Sequence, residues 1–159
     1  GAVAWRGRAI LVPGRSFSGK TSLVAALVRA GATYYSDEYA VLDARGRLHP
    51  YIKPLSLREP GETEQTDVPV ESIGGVAGVA PIPVGCVAVT EFRPDARWQP
   101  RRLTEGQAAL ALMANAVAAR RAPQTILETL DRVVRNATTV KSRRGEADEV
   151  AGALLDLCI

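Results

Sequence analysis

Apolar and polar positions alternate along the N-terminal part of the chain in a way that predicts a strand, a turn and a helix in succession. The apolar run 8–13 ends at a proline followed by a glycine, which indicates a buried strand. Residues 21–30 carry leucine and valine at helical spacing and stop at Gly31, so they predict a helix that ends at a glycine cap. These elements make up the first half of a β-α-β unit.

The middle of the chain is predicted to hold short strands and one long loop. Aromatic and β-branched residues at 32–36 and 39–43 favour two strands, and the turn 44–47 joins the second of them to Leu48 as a hairpin. Segment 58–83 is rich in glycine, proline, glutamate and threonine and shows no periodicity, which is typical of a binding loop or a lid.

The C-terminal part is predicted to alternate between strands and helices, and residues 84–92 give the strongest strand pattern of the chain. Thr104 and Gln107 fit a helix capping box, Pro123 is placed to open a further helix, and acidic residues at the start of the last helix suit its dipole. The expected elements are strands at 84–92, 98–103 and 137–142 and helices at 105–119, 123–136 and 146–157.

Length and composition favour one folded domain over residues 1–159, because the 159 residues are 47% apolar and 23% charged. Since the sequence begins at Gly1 without a methionine, we expect this domain to be part of a longer gene product. No run approaches the roughly 18 apolar residues of a membrane span, and no signal peptide is recognisable. We therefore expect a cytoplasmic protein with no membrane partner.

Charge and the rare reactive side chains exclude several classes of function. Lysine plus arginine number 20 against 17 aspartate plus glutamate, and the arginines are scattered, so no nucleic-acid partner is expected. The only histidine is His49 and the only cysteines are Cys86 and Cys158, which excludes zinc fingers, Cys/His catalysis and a Ser/His/Asp triad. We expect both cysteines to be buried, unreactive thiols rather than a disulfide.

One motif carries recognisable chemistry, a match to G-x-x-x-x-G-K-[ST] between the first predicted strand and helix. In such a loop the glycines let backbone N–H groups point at phosphate oxygens, the lysine reaches the β- and γ-phosphates, and the hydroxyl can bind Mg²⁺. The sequence therefore predicts a site for ATP and magnesium. We call residues 14–21 the GKT segment, and its members are Gly14, Arg15, Ser16, Phe17, Ser18, Gly19, Lys20 and Thr21.

Two adjacent acids, Asp37 and Glu38, follow the strand that comes after the first helix. Ligands bind at the carboxyl ends of parallel strands in α/β sheets, so we expect the acids beside the GKT segment. Phosphoryl transfer to a hydroxyl needs a carboxylate near the acceptor proton and acidic partners for magnesium, and an adjacent pair can supply both. The alternative is a solvated turn between two strands.

The succession LVPGRSFSGKT, a helix, YYSDEYAVLD and HPYIKPLSLR resembles the HPr kinase/phosphorylase family, especially its short relatives with the kinase domain alone. The resemblance covers residues 1–60, and beyond them only the pattern of elements is similar. It implies a P-loop nucleotide-binding fold like the HPr kinase C-terminal domain and the phosphoenolpyruvate carboxykinases, with a mixed sheet and flanking helices. The chain has no counterpart of the family's upstream histidine or of its later glutamate-arginine-glycine signature.

The same resemblance implies roles for individual residues. In the family, the first acid of an Asp-Asp pair acts on the substrate serine, so Asp37 and Lys20 are the expected catalytic residues. Glu38 replaces the second acid and, with Thr21, is expected to bind magnesium. A homo-oligomer is compatible with this resemblance.

The expected function is ATP-dependent phosphoryl transfer to a serine hydroxyl of a protein or peptide. Two alternatives stay open from the sequence. One is a kinase of small metabolites, in which Asp37 would bind the acceptor hydroxyl. The other is a regulatory module that binds a nucleotide without turnover, in which ATP would order segment 58–83.

Overall fold

The computed structural model describes residues 1–15, 18–57 and 64–158 as a sheet of mixed strand direction with helices on both faces. This confirms the expected α/β class with flanking helices. The helices are α1 (Lys20–Arg29), α2 (Glu105–Met113), α3 (Pro123–Asn136) and α4 (Ala147–Leu157), with 3₁₀ turns at Val70–Ile73 and Val117–Arg120. The strands are β1 (Ala2–Trp5), β2 (Arg8–Leu11), β3 (Thr33–Ser36), β4 (Val41–Leu42), β5 (Arg47–His49), β6 (Leu55–Leu57), β7 (Thr66–Val68), β8 (Ile82–Phe92), β9 (Arg101–Arg102) and β10 (Thr138–Arg144).

The order of the strands brings four carboxyl ends to one edge of the sheet. The main path runs β3-β1-β2-β8-β10-β9, and β2, β8 and β10 are parallel to one another. β1 is antiparallel to both β2 and β3, so β3 points the same way as those three strands. The described residues of the GKT segment, after β2, and Asp37, after β3, therefore lie at the edge where α/β sheets bind ligands.

Alternation along the strands divides the core into two layers, because successive strand residues face opposite sides of the sheet. On one side Ile10 and Cys86 pack with α1 and α4, and on the other Leu11 and Val87 pack with α2 and α3. Burial of each large apolar side chain stabilises the fold by about 1.5–3 kcal/mol. None of the helices in the described ranges is long and apolar enough to cross a membrane.

The first of these layers contains a disulfide between Cys86 in β8 and Cys158 at the end of α4. The expectation of two separate thiols is therefore wrong. The two positions are separated by 72 residues in the chain, and they meet because α4 packs on the face of the sheet to which Cys86 points.

Several local predictions are confirmed. β4 and β5 form the expected hairpin, which pairs Leu42 with Leu48. Thr104 caps α2 through the backbone N–H of Gln107, whose side chain in turn accepts from the backbone N–H of Thr104. α3 begins at Pro123 as predicted. In each case the signal lies within a few residues of the element it specifies.

Two C-terminal predictions differ from the structure. The helix expected over 105–119 ends at Met113, where Asn115 donates its side-chain amide to a carbonyl oxygen of the last turn, that of Ala111, at 2.8 Å. Segment 98–103 forms only the short strand β9, which pairs with β10 instead of β8. Both neighbouring positions of β8 are already filled by β2 and β10.

The long loop expected over 58–83 is also corrected, although residues 58–63 lie outside the described ranges. β7 pairs with β6 as a two-stranded hairpin, and a 3₁₀ turn follows it. A Cβ on Gly78 would lie 2.2 Å from the ring of Tyr35, so this glycine allows close packing against β3. Glycine in this segment therefore permits close packing as well as turns.

Candidate functional site

The described part of the GKT segment lies at the carboxyl end of β2 and at the start of α1. It comprises residues 14–15 and 18–21, whereas Ser16 and Phe17 lie outside the described ranges. Gly19 has a φ of 79°, in the left-handed region that favours glycine, and a Cβ there would lie 2.6 Å from a guanidinium nitrogen of Arg144. The backbone turns into α1 at this glycine, so the helix N-terminus is left open to an anion.

The side chain of Lys20 points back toward Arg15, at the other end of this turn. Its ammonium group donates a hydrogen bond to the carbonyl oxygen of Arg15. Partial burial lowers the pKa of Lys20 below its ordinary value, and the charge of Asp37 opposes that shift. A phosphate oxygen could replace the carbonyl as the acceptor, because both are oxygen acceptors and the phosphate also carries charge.

Asp37 lies behind the GKT segment as a buried carboxylate, with only 7% of its surface exposed. Its Oδ2 accepts hydrogen bonds from the Thr21 hydroxyl at 3.3 Å and from the backbone N–H of Ser56 in β6 at 3.4 Å. The Tyr34 hydroxyl lies 3.2 Å from its Oδ1 and donates to the carbonyl oxygen of Lys53 at 2.8 Å. Asp37 is therefore not the solvated turn residue that the sequence left open.

Tyr34, in β3, places its hydroxyl next to the same carboxylate. Its burial raises the pKa of the phenol above the ordinary value, and the negative charge of Asp37 raises this pKa further. Tyr34 consequently stays a neutral phenol at physiological pH. It fixes the turn after β3 by accepting a hydrogen bond from the backbone N–H of Asp37 at 3.2 Å.

Glu38 does not share the contacts of Asp37. It is exposed, and its carboxylate pairs with the ammonium group of Lys53 at 2.9 Å. This pairing raises the pKa of Lys53 above its ordinary value, although an exposed pair of this kind adds little to stability. Among the described contacts, Asp37 and not Glu38 reaches the hydroxyl of Thr21.

The chemistry of this donor set fits magnesium bound together with a nucleotide. In the described residues, no three His, Cys, Asp or Glu side chains are grouped as a complete metal site. Magnesium needs no such group, because it is usually bound through one or two carboxylates together with substrate phosphates and water. The Thr21 hydroxyl and the adjacent Asp37 carboxylate supply oxygen ligands of that kind.

Arg144, at the end of β10, is a further cation at the GKT segment. It is 2% exposed, and its guanidinium donates to the carbonyl oxygens of Gly19 at 2.7 Å and Gly145 at 3.0 Å. The group lies 5.5 Å from the ring centroid of Phe92, and among the described residues its Nε has no hydrogen-bond partner. Burial lowers the pKa of Arg144, with Glu146 opposing the shift, and Arg144 forms no ion pair with a described carboxylate. A buried charge of this kind favours an anion nearby.

Arg144 is not among the site residues predicted from the sequence, because the predicted strand stops at residue 142. The observed strand continues to Arg144, and alternation places Val140, Ser142 and Arg144 together on its buried side. A charged residue at a buried strand position near a carboxyl end is a recognisable signal for a ligand site. It becomes visible only when the full length of β10 is known.

Replacement of Arg144 by methionine tests this assignment. We expect the affinity for Mg-ATP to fall about 10-fold, because a positive charge next to Gly19 is lost. The fold should persist, because methionine suits a buried site and Gly19 still accepts a hydrogen bond from the backbone N–H of Leu23. Titration calorimetry measures the affinity, and urea unfolding measures the stability.

The matched control is Arg143→Met, the exposed neighbour on the same strand, whose side chain is 71% exposed. It removes the same charge from the adjacent residue, whose side chain lies on the exposed face of β10 outside the site, so it should leave the affinity nearly unchanged. Equal affinities for the two variants would show that Arg144 has no specific effect on the GKT segment.

A cavity of about 390 Å³ opens beside the GKT segment. Gly14, Lys20 and Glu38 line it at the sheet edge, and residues of α2, α3 and the turn between them also line it. Its volume falls within the range of about 300–1,000 Å³ that is usual for small-molecule sites. The candidate phosphate site and an adjoining cavity are therefore continuous.

The candidate site is described from the contacts of its own residues. The resemblance to the HPr kinase/phosphorylase family rests on the sequence motifs alone. Only the coarser class, an α/β sheet with flanking helices, is established by the fold. Comparison of the chain with protein-family models, curated proteins and solved structures gives no match.

Proposed function

We propose that this chain is a kinase that transfers the γ-phosphoryl group of ATP to a serine hydroxyl of a protein or peptide. The observation that carries the proposal is the meeting of Lys20, Thr21 and Asp37 at one sheet edge, with the Thr21 hydroxyl 3.3 Å from the Asp37 carboxylate. A lysine, a hydroxyl and a carboxylate at the start of a helix are the groups that nucleotide-dependent phosphoryl transfer uses.

Each residue has a chemical task in this proposal. Lys20 exchanges its bond to the carbonyl of Arg15 for phosphate oxygens, and Arg144 adds positive charge behind Gly19. Thr21 and Asp37 offer oxygen atoms to the cation. Magnesium, when bound, neutralises charge that develops on the phosphates.

The two acids are distinguished by their surroundings. The family resemblance of the sequence predicts that Asp37 acts on the acceptor and that Glu38 binds the metal. The contact between Asp37 and Thr21 supports a role for Asp37 in binding the metal. The position of Glu38 on the cavity wall supports a role for Glu38 in contacting the acceptor hydroxyl. We propose this exchanged assignment.

A two-stage experiment tests the function. Titration calorimetry with Mg-ATP, Mg-GTP and pyrophosphate first measures binding, and the proposal fails if none binds at millimolar concentration. Transfer from γ-labelled ATP is then measured to serine peptides and to a panel of polyols, beside hydrolysis. Label on serine supports the proposal, label on a polyol identifies a metabolite kinase, and binding without transfer or hydrolysis identifies a regulatory module.

A further inference from the structure

We propose that the cavity beside Lys20 binds apolar side chains next to the acceptor serine, so that the enzyme selects serines in an apolar peptide segment. This inference rests on the proposed kinase function and adds the class of substrate. It concerns the wall of the cavity that α2, α3 and their connection provide, which has no role in nucleotide binding as described above.

Apolar side chains line much of the wall formed by α2, α3 and their connection. Leu112 and Leu130 are buried and line it from α2 and α3, and Ile126 is partly buried beside them. Val117 lines it from the 3₁₀ turn with 78% of its surface exposed. Covering this apolar surface would release ordered water, so an apolar occupant is favoured over a polyol.

Charged groups line the cavity at the sheet edge. On the side of the sheet edge, the cavity is lined by Lys20 and Glu38, which are the groups proposed to contact the terminal phosphate and the acceptor. A serine placed there would carry its neighbouring side chains toward the α2–α3 wall. The cavity therefore continues from the reacting group into an apolar site, as a site for a peptide side chain requires.

The position of Lys20 on the cavity distinguishes a peptide side chain from the nucleotide base as its occupant. Lysine in a motif of this type contacts the β- and γ-phosphates. Lys20 and Gly14 border the cavity, so the cavity adjoins the terminal phosphates. In ATP the base is attached at the other end of the triphosphate, beyond the ribose. A base could thus occupy the cavity only if the nucleotide were bound in the opposite orientation, with its terminal phosphates away from Lys20.

The test compares the binding of two labelled peptides in the presence of Mg-ADP, which prevents turnover. One peptide has leucine on both sides of its single serine, and the other has glycine at these two positions. We expect the leucine peptide to bind at least about 10-fold more tightly, because two apolar side chains leave water. Fluorescence anisotropy with the whole chain measures both affinities.

Two variants locate the effect. Val117→Asp puts a charge on the cavity wall at an exposed position, and it should reduce the ratio of the two affinities to about one. Leu110→Asp is the matched control, since Leu110 is 72% exposed on α2 and does not line the cavity. It should keep the ratio. Thr125→Arg, on another exposed lining residue, should act like Val117→Asp.

Three results would overturn the inference: equal or absent binding of both peptides, a ratio that survives Val117→Asp, or a ratio that Leu110→Asp also abolishes. It would also fall if Val117→Asp weakened Mg-ATP binding but not Mg-tripolyphosphate binding, because the base would then occupy the cavity. Failure of the kinase function is distinguishable. Tight binding of the leucine peptide without phosphoryl transfer would remove the kinase and leave the peptide site in place.

Discussion

Asp37→Asn is expected to lower the rate of phosphoryl transfer by about 100-fold or more while changing the affinity for magnesium-free ATP little, because Asp37 is proposed to bind the cation and not the nucleotide. Asparagine keeps the size of the side chain and can still accept from the Thr21 hydroxyl, but it lacks the negative charge that a cation or an acceptor proton requires. Single-turnover transfer rates and calorimetric ATP affinities measure the two quantities. Unfolding in urea checks that the buried amide costs no more than about 1–3 kcal/mol.

Magnesium dependence then distinguishes the roles of the two acids. Since Asp37 contacts Thr21 and Glu38 pairs with Lys53, we expect added magnesium to restore part of the rate of Asp37→Asn and none of the rate of Glu38→Gln. The opposite pattern would support the assignment made from the sequence. Unchanged rates in both variants would remove both carboxylates from the mechanism.

Local signals explain the parts of the fold that the sequence predicts well. The apolar spacing of α1, the capping box of Thr104 and Gln107, and the proline at the start of α3 all lie within the elements they specify. The position of Asp37 beside the GKT segment also follows from local order, because β2, α1 and β3 succeed one another and their strands end at the same edge.

Distant contacts explain what the sequence leaves open. β1 separates β2 from β3, and no periodicity within these strands indicates that order. The burial of Asp37 depends on Tyr34 and on Ser56 of β6, and the disulfide depends on α4 reaching β8. Arg144 is separated from Gly19 by 125 residues. Pairings of this kind are set by the packing of whole elements, which single-sequence patterns do not encode.

The second large effect is expected for Lys20→Ala, which should lower the affinity for Mg-ATP by about 100-fold. Among the described residues, Lys20 makes one hydrogen bond, to the carbonyl oxygen of Arg15. Its removal should therefore leave the fold intact. In the complex the variant lacks a charge-assisted contact to the phosphates, and such contacts contribute about 1.5–3 kcal/mol. Titration calorimetry at constant ionic strength measures the loss.

The pH dependence of affinity ties this loss to the charge of Lys20. Burial lowers the pKa of Lys20, and only its protonated form attracts phosphate. The affinity for Mg-ATP should therefore fall as the pH rises, and the fall should begin below the region of about 10.4 where an ordinary lysine titrates. Lys141→Ala, at an exposed position in β10, should reproduce the wild-type affinity and pH profile. A variant at Lys20 that kept the wild-type affinity, or the alkaline decline, would contradict a phosphate-binding lysine at this position.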